Sequence, residues 1–303
     1  MSSNTNFPHN LSIAPSVHPS LKLADVFAES AQRRAIQDYG IAGRVWEAAY
    51  ATLLYVNPPQ NIDFLPPFLS SPTPRTMIEL GSGTGMVAAA IAGVIDQRTD
   101  LVIATDLPEV CPLLESNLYA SLKQTALVRP LTWGDDSAAH GLASELFCGS
   151  HARMLTHIIC SDLVYFPELF GPLLRSLIQL TSRLFVRDSP QPSIIISHKV
   201  RSLVKETPFW SAFGLWFGFS PVLVKPSSNL SQQEEEEEWR RFGEDADDIL
   251  LVLLAHRRPE SLGWKVPPDD WALMAGIGAR NIDERKSDDT FESLLLMSSA
   301  SSC

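Results

Sequence analysis

"MIELGSGTGM", residues 77–86, decides how this chain folds. Apolar residues and an acid, Glu79, lead into glycines at alternate positions, Gly81, Gly83 and Gly85, and an alanine-rich run follows. The segment 76–80 reads as a strand and 86–95 as a helix that the glycines open. Glycines this close together either bring backbone against a ligand or form a sharp strand–helix turn. The dinucleotide fingerprint G-x-G-x-x-G/A needs a small third residue for helix–strand packing. Here Gly85 arrives one residue early and Met86 stands where that small residue belongs. A P-loop is excluded because no Gly-Lys-Ser/Thr follows.

Downstream, apolar strands and helical patterns alternate. Strands are expected at 101–106, 126–133, 155–162, 193–199, 219–225 and 248–257, with helices at 108–121, 167–184 and, in spite of Pro208, 203–216. This alternation predicts an α/β fold: a Rossmann-like, mostly parallel sheet with helices on both faces. Between the last two strands there is only a loop, so they should pair antiparallel. Upstream, 43–56 reads as a helix with Trp46, Ala49, Tyr50 and Leu53 at helical spacing. The stretch 57–75 holds six prolines and reads as a linker. Residues 1–20 are Ser/Asn/Pro-rich and read as loose, and the pattern over 23–40 fits either a helix or a strand–turn–helix. The expected organisation is an N-terminal extension over 1–40, a domain over 41–258, and a tail over 259–303 that carries Trp264 and Trp271.

Of the net charge of -11, the segment Glu234–Asp248 supplies -7, nine acids against Arg240 and Arg241, which leaves -4 for the rest. It lies in a low-complexity insertion, 226–247, expected to be a solvated loop. No basic face suggests a nucleic-acid partner, and mild acidity suits basic protein segments. No run of eighteen apolar residues indicates a membrane span, and no basic start followed by an apolar run suggests a secretory leader. The four cysteines have neither metal nor disulfide spacing, which fits a reducing, intracellular setting; cytoplasm is expected, with the nucleus as the second choice.

Glu79 would end its strand inside the binding crevice. A carboxylate there repels pyrophosphate and attracts a cation. S-adenosylmethionine carries an ammonium and a sulfonium and no phosphate, so it suits E-x-G-x-G-x-G. Asp106, ending the next strand, can accept both ribose hydroxyls. Asp162 and Tyr165, in "SDLVYFPE" (161–168), follow a further strand and fall on the same rim; Asp162 also reads as a helix cap. Trp133, in "LTWGDD" (131–136), offers a flat face for an adenine, or is a core residue; Trp46 shares that ambiguity. His157 and His198 sit in apolar strands and read as core histidines.

In order, "GRVWEAA", "IELGSGTG", "TDLPEV", "NL", "LTWGDD" and "SDLVYFPE" resemble the family 16 seven-β-strand methyltransferases, over about residues 40–257. These are S-adenosylmethionine-dependent protein-lysine N-methyltransferases. The resemblance lies with the branch that acts on translation elongation factors in fungi and on chaperones in animals. It implies a class I methyltransferase sheet of seven strands whose last strand is antiparallel. It further implies cofactor contacts from Trp46, Gly81, Ser82, Gly83, Asp106, Trp133 and Ser161, and a D-x-x-Y acceptor motif at Asp162 and Tyr165. The expected partner is a protein that presents a lysine, and the expected state is a monomer. The acidic insertion, the long tail, and Ser161, where a small apolar residue is common, depart from the family pattern. A small-molecule N-methyltransferase of nicotinamide type, or a cofactor-binding scaffold without catalysis, are the alternatives the residues leave open.

Overall fold

The computed structural model describes residues 6–8, 11–19, 21, 23–70, 74–119, 125–150, 152–186, 190–227, 238–243 and 249–300, with backbone alone at 297–300. Among the described residues the strands are β1 Ile62–Leu65, β2 Thr76–Leu80, β3 Leu101–Asp106, β4 Ala126–Pro130, β5 His157–Ser161, β6 Ser193–Lys199, β7 Phe217–Pro221, β8 Leu223–Pro226, β9 Arg240–Arg241 and β10 Leu250–Arg257. The helices are α1 Glu29–Tyr39, α2 Glu47–Val56, α3 Met86–Val94, α4 Cys111–Leu118, α5 Asp136–Leu146, α6 Pro167–Leu180, α7 Arg183–Val186, α8 Leu203–Trp216, α9 Asp270–Met274 and α10 Thr290–Ala300.

Seven strands form the main sheet in the order β4-β3-β2-β5-β6-β10-β7. The pairs among β4, β3, β2, β5 and β6 are parallel, and β10 runs antiparallel to both neighbours, β6 and β7. Side chains alternate across this sheet. Ile78, Leu80, Ile158, Ile194 and Ile196 face a core closed by α5, α6, α8 and the tail. Met77, Val102, Ile159, Ile195 and Val252 face a second core closed by α2, α3 and α4. Burial on both faces explains why the strands read as continuous apolar runs.

Several expectations change. The proline-rich linker contains β1, which pairs with β8. The strand expected at 219–225 is two: β7 closes the main sheet, and β8 joins β1 and β9 in a three-stranded antiparallel sheet. Buried Val222 makes the step, donating its N–H to Val252 and accepting from Phe242. Pro221 cannot donate, so β7 takes the sheet edge. The insertion is thus not all loop, since β9 lies in it; most of its acidic run falls outside the described residues. Trp46 precedes α2 rather than lying in it, β4 stops at Pro130, and α5 is an additional helix capped by Asp135.

The N-terminal extension, expected to be loose, is held down where it is described. Buried Gln32 donates to the Ser16 and Phe27 carbonyls and accepts from the Ser16 and Val45 N–H groups. The Ile41 N–H donates to the Asn6 carbonyl. The tail packs on α6 and α8. Phe291 is fully buried and stacks on Trp210 at 4.5 Å, and Trp264 meets Trp216 edge-on. Arg175–Asp270 and Arg258–Asp288 pairs pin the tail's polar side. Trp271 stays exposed beneath the Arg285 guanidinium.

Candidate active site

The turn after β2 is tied to the end of β3. Ser82 N–H donates to the Thr105 carbonyl, the Thr105 hydroxyl to the Glu79 carbonyl, and Gly83 N–H to Asp106 Oδ2 at 2.8 Å. Gly81 and Gly83 have φ of +56° and +53°, a left-handed backbone that favours glycine. A Cβ on Gly81 would lie 2.8 Å from the Trp133 ring and 2.9 Å from Leu163, and one on Gly83 would lie 3.0 Å from the Ala42 carbonyl oxygen. The glycines therefore let three segments meet around one space.

That space is a cavity of about 600 Å³ at the C-terminal ends of the parallel strands, a size usual for small-ligand sites. Trp46, Glu79, Gly81, Ser82, Gly83, Asp106, Trp133, Ser161, Asp162 and Tyr165, all singled out in the sequence, line it together. His157 is buried beside Thr156 and is not among the lining residues. Burial pushes its pKa down to about 4.

Two acids sit at the β2–β3 end. Glu79 is buried, its Oε2 has no hydrogen-bond partner among the described residues, and burial pushes its carboxyl up to about 8. Asp106 accepts from the Gly83 and Leu107 N–H groups, and burial pushes it up to about 6. No guanidinium or ammonium within salt-bridge distance neutralises either acid among the described residues.

The β5–β6 end differs. Asp162 has φ of +62° and is 4% exposed. Its carboxylate takes both arms of Arg201, Nη1 to Oδ1 at 2.7 Å and Nη2 to Oδ2 at 2.6 Å. Arg201 Nη2 also reaches Glu47 Oε2 at 3.0 Å, and Glu47 is paired with Arg44. The two guanidiniums lie over the Trp46 ring, 4.3 Å (Arg44) and 5.4 Å (Arg201) from its centroid, and the indole N–H donates to the Ile41 carbonyl. Behind them His198 Nε2 bonds Glu206 at 3.0 Å, while its Nδ1 stands 4.0 Å from Asp162 Oδ1. Tyr165 packs edge-on against Phe166, and burial raises its phenol. Hydroxyls of Thr52, Ser197 and Ser161 form a chain that ends in the cavity.

Sequence reasoning missed Arg201 and Glu47. Arg201 stands in "HKVRS" with no periodicity to mark it. Glu47 was legible only as the neighbour of Trp46. Asp162, expected as part of an acceptor motif, is a carboxylate that already holds a guanidinium on both oxygens.

A seven-stranded sheet in this order, with a glycine turn after its first strand and a cavity over the strand ends, has the class I methyltransferase architecture. A sequence profile described as lysine methyltransferase matches residues 31–213, more than half of the 303, and the chain belongs to that family. Comparison with curated proteins gave no match. Among solved structures, the chain is similar to the CurJ carbon methyltransferase at 13% identity and TM-score 0.38, covering 63% of this chain and 51% of that one. It is also similar to precorrin-6y C5,15-methyltransferase from Geobacter metallireducens GS-15 at 10% identity and TM-score 0.37, covering 69% and 86%. A third is the 8-amino-8-demethyl-D-riboflavin dimethyltransferase from Streptomyces davawensis, at 14% identity and TM-score 0.37, covering 60% and 49%. The chain spans about half the length of the first and third of these structures.

Fold and family imply S-adenosylmethionine as methyl donor. The residues fit it: a buried carboxylate at Glu79, with one oxygen lacking a partner among the described residues and no cation paired to it there, suits a cation, and glycine backbone leaves room beside it.

Proposed function

We propose that this protein transfers a methyl group from S-adenosylmethionine to a lysine side chain of a protein substrate. The observation that carries the reading is the buried Glu79 carboxylate, whose Oε2 has no hydrogen-bond partner among the described residues, in one cavity with Asp162 and Tyr165, in a chain of the lysine methyltransferase family. Glu79 offsets positive charge on the cofactor, Asp106 accepts from its ribose hydroxyls, and Trp133 and Trp46 supply flat faces. The Gly81–Gly83 backbone and Ser161 complete the cradle. Bound there, the cofactor supplies an electrophilic methyl on a sulfonium.

The acceptor must arrive as a neutral amine. Free lysine, with pKa of about 10.4, pays about 4.6 kcal/mol for that at pH 7. A partly desolvated site lowers this cost. Tyr165 shapes the channel and holds the amine by its hydroxyl or ring face. Alignment of the nitrogen for in-line attack supplies the rest of the acceleration.

The test is incubation of the purified protein and methyl-tritiated S-adenosylmethionine with cell lysate, followed by mass spectrometry of the labelled material. A protein band that carries methyl-lysine supports the reading; elongation factors and chaperones are the bands to identify first. Label only in small molecules, or none at all, refutes it.

A further inference from the structure

Asp162 and Glu47, which line the acceptor end of the cavity, and Glu206 behind it all have cationic or N–H partners, while Glu168 and Asp106 add negative charge near Tyr165 from further off. Asp162, at the end of β5, holds Arg201 on both oxygens; Glu47, at the start of α2, holds Arg44 and Arg201. Glu206, in α8, accepts from His198 and from the Arg201 and Ser202 N–H groups. Burial opposes that charge, yet these donors hold the Glu206 carboxyl below its usual range. Lys199 adds a further positive side chain to the wall, and its N–H points at Asp162. Arg201 and Arg44 offset Asp162 and Glu47 there, whereas Glu79, at the other end, has no ion-pair partner among the described residues.

We propose that Arg201 is a positioning residue which cancels the charge of Asp162, so that the acceptor end receives an uncharged amine instead of stabilising an ammonium. This rests on the lysine-methylating reading above. A bare carboxylate near the acceptor nitrogen would hold its proton on, because an opposite charge within reach raises an amine pKa by about 1–3 units. The Asp162–Arg201 pair offers no such attraction. The amine therefore leaves its proton with water on entry. Its lone pair forms the N–C bond as the C–S bond breaks, the bonding electrons pass to sulfur, and the new methylammonium carries the positive charge. The fork of Arg201 also fixes the left-handed Asp162, whose backbone sets the rim leading to Tyr165.

The experiment compares kcat at saturating acceptor, with KM measured alongside, against pH, from 7 to 10, for wild type, Arg201→Gln and Arg201→Lys, with the lysate protein labelled by wild type as acceptor. Calorimetry with S-adenosylmethionine and thermal melting serve as folding controls. In Arg201→Gln the acid limb should move up by about 1–3 pH units. Its activity should then be about tenfold or more below wild type at pH 7 and close on wild type toward pH 10. Arg201→Lys keeps the charge and should bring the midpoint back. An equal loss at every pH, with folding intact, makes the residue structural only and overturns the proposal. A gain at pH 7 through a lower KM overturns it differently, because Arg201 would then be a competitor for the acceptor's seat. Should wild type label no protein at all, the functional reading fails first, and the variants are not what refutes it.

Discussion

Glu79→Gln keeps the shape of the cofactor end and removes its charge. Burial holds the Glu79 carboxyl at a pKa of about 8, so the ionised fraction is about 1% at pH 6, 9% at pH 7 and 50% at pH 8. A cationic ligand favours the ionised form, and at pH 7 ionising the carboxyl costs about 1.4 kcal/mol before any attraction is gained. The ratio of dissociation constants for S-adenosylmethionine, variant over wild type, should therefore climb about 50-fold from pH 6 to pH 8. The ratio is the quantity to use because the ligand's own amine titrates over the same range and cancels from it. Titration calorimetry in buffers of different ionisation enthalpy should also show close to one proton released per wild-type site at pH 7, and markedly fewer in the variant. A flat ratio would mean that Glu79 does not face the ligand's charge, and the assignment of the cofactor end would fall. The same carboxyl bears on stability. Its folded pKa lies above the unfolded value, so its stabilising contribution is complete below about 4.3 and is lost as pH rises through 8. Without ligand, the variant should thus melt several degrees above wild type at pH 8, with the gap narrowing toward pH 5.

Other perturbations read other parts of the molecule. Asp106→Ala should weaken S-adenosylmethionine binding before it touches any other step, since it also frees the Gly83 and Leu107 N–H groups; calorimetry checks this. Asp162→Asn tolerates the left-handed backbone but leaves Arg201 without its carboxylate, so cofactor affinity should stay within a fewfold while turnover in the labelled-methyl assay falls as the unheld guanidinium disturbs the acceptor's seat; equal loss of both would remove Asp162 from the acceptor end. Phe291→Ala deletes a fully buried ring stacked on Trp210 and should cost about 3–5 kcal/mol, read in denaturant unfolding. An unchanged midpoint there would mean that the tail does not close the core.

The central strands were legible because each is buried on both faces and so reads as an unbroken apolar run bounded by polar turns. The cradle was legible because Glu79, the glycines and Asp106 sit at fixed positions on consecutive strand ends. What stayed hidden depends on partners far along the chain. β1 exists by pairing with β8, and the prolines on either side of it masked it. The break between β7 and β8 is set by tertiary hydrogen bonds of Val222 that no local pattern encodes. Gln32 organises the N-terminal segment through backbone groups on three separate stretches, and a lone glutamine in a helix gives no hint of that. α5 is different: Asp135 accepts from the Ser137 and Ala138 N–H groups, and that acid before a helical run was a readable start signal.

In the proposed transfer to a lysine, the pairing of charges also sets a direction. Positive charge begins on sulfur, beside a carboxylate whose Oε2 has no hydrogen-bond partner among the described residues, and ends on nitrogen, beside a pair that is already neutral. As sulfur becomes neutral, the reason for Glu79 to stay ionised disappears, and near pH 7 it takes a proton back, since its pKa in the cavity is about 8. Asp162 and Glu47 do not trap the methylated nitrogen, because Arg201 and Arg44 already occupy them. Were Asp162 bare, it would favour the ammonium both before and after transfer, slowing deprotonation on the way in and release on the way out. The guanidinium over Asp162 therefore serves both ends of the cycle, and the acidity that makes the cofactor end work would be a liability a few residues away.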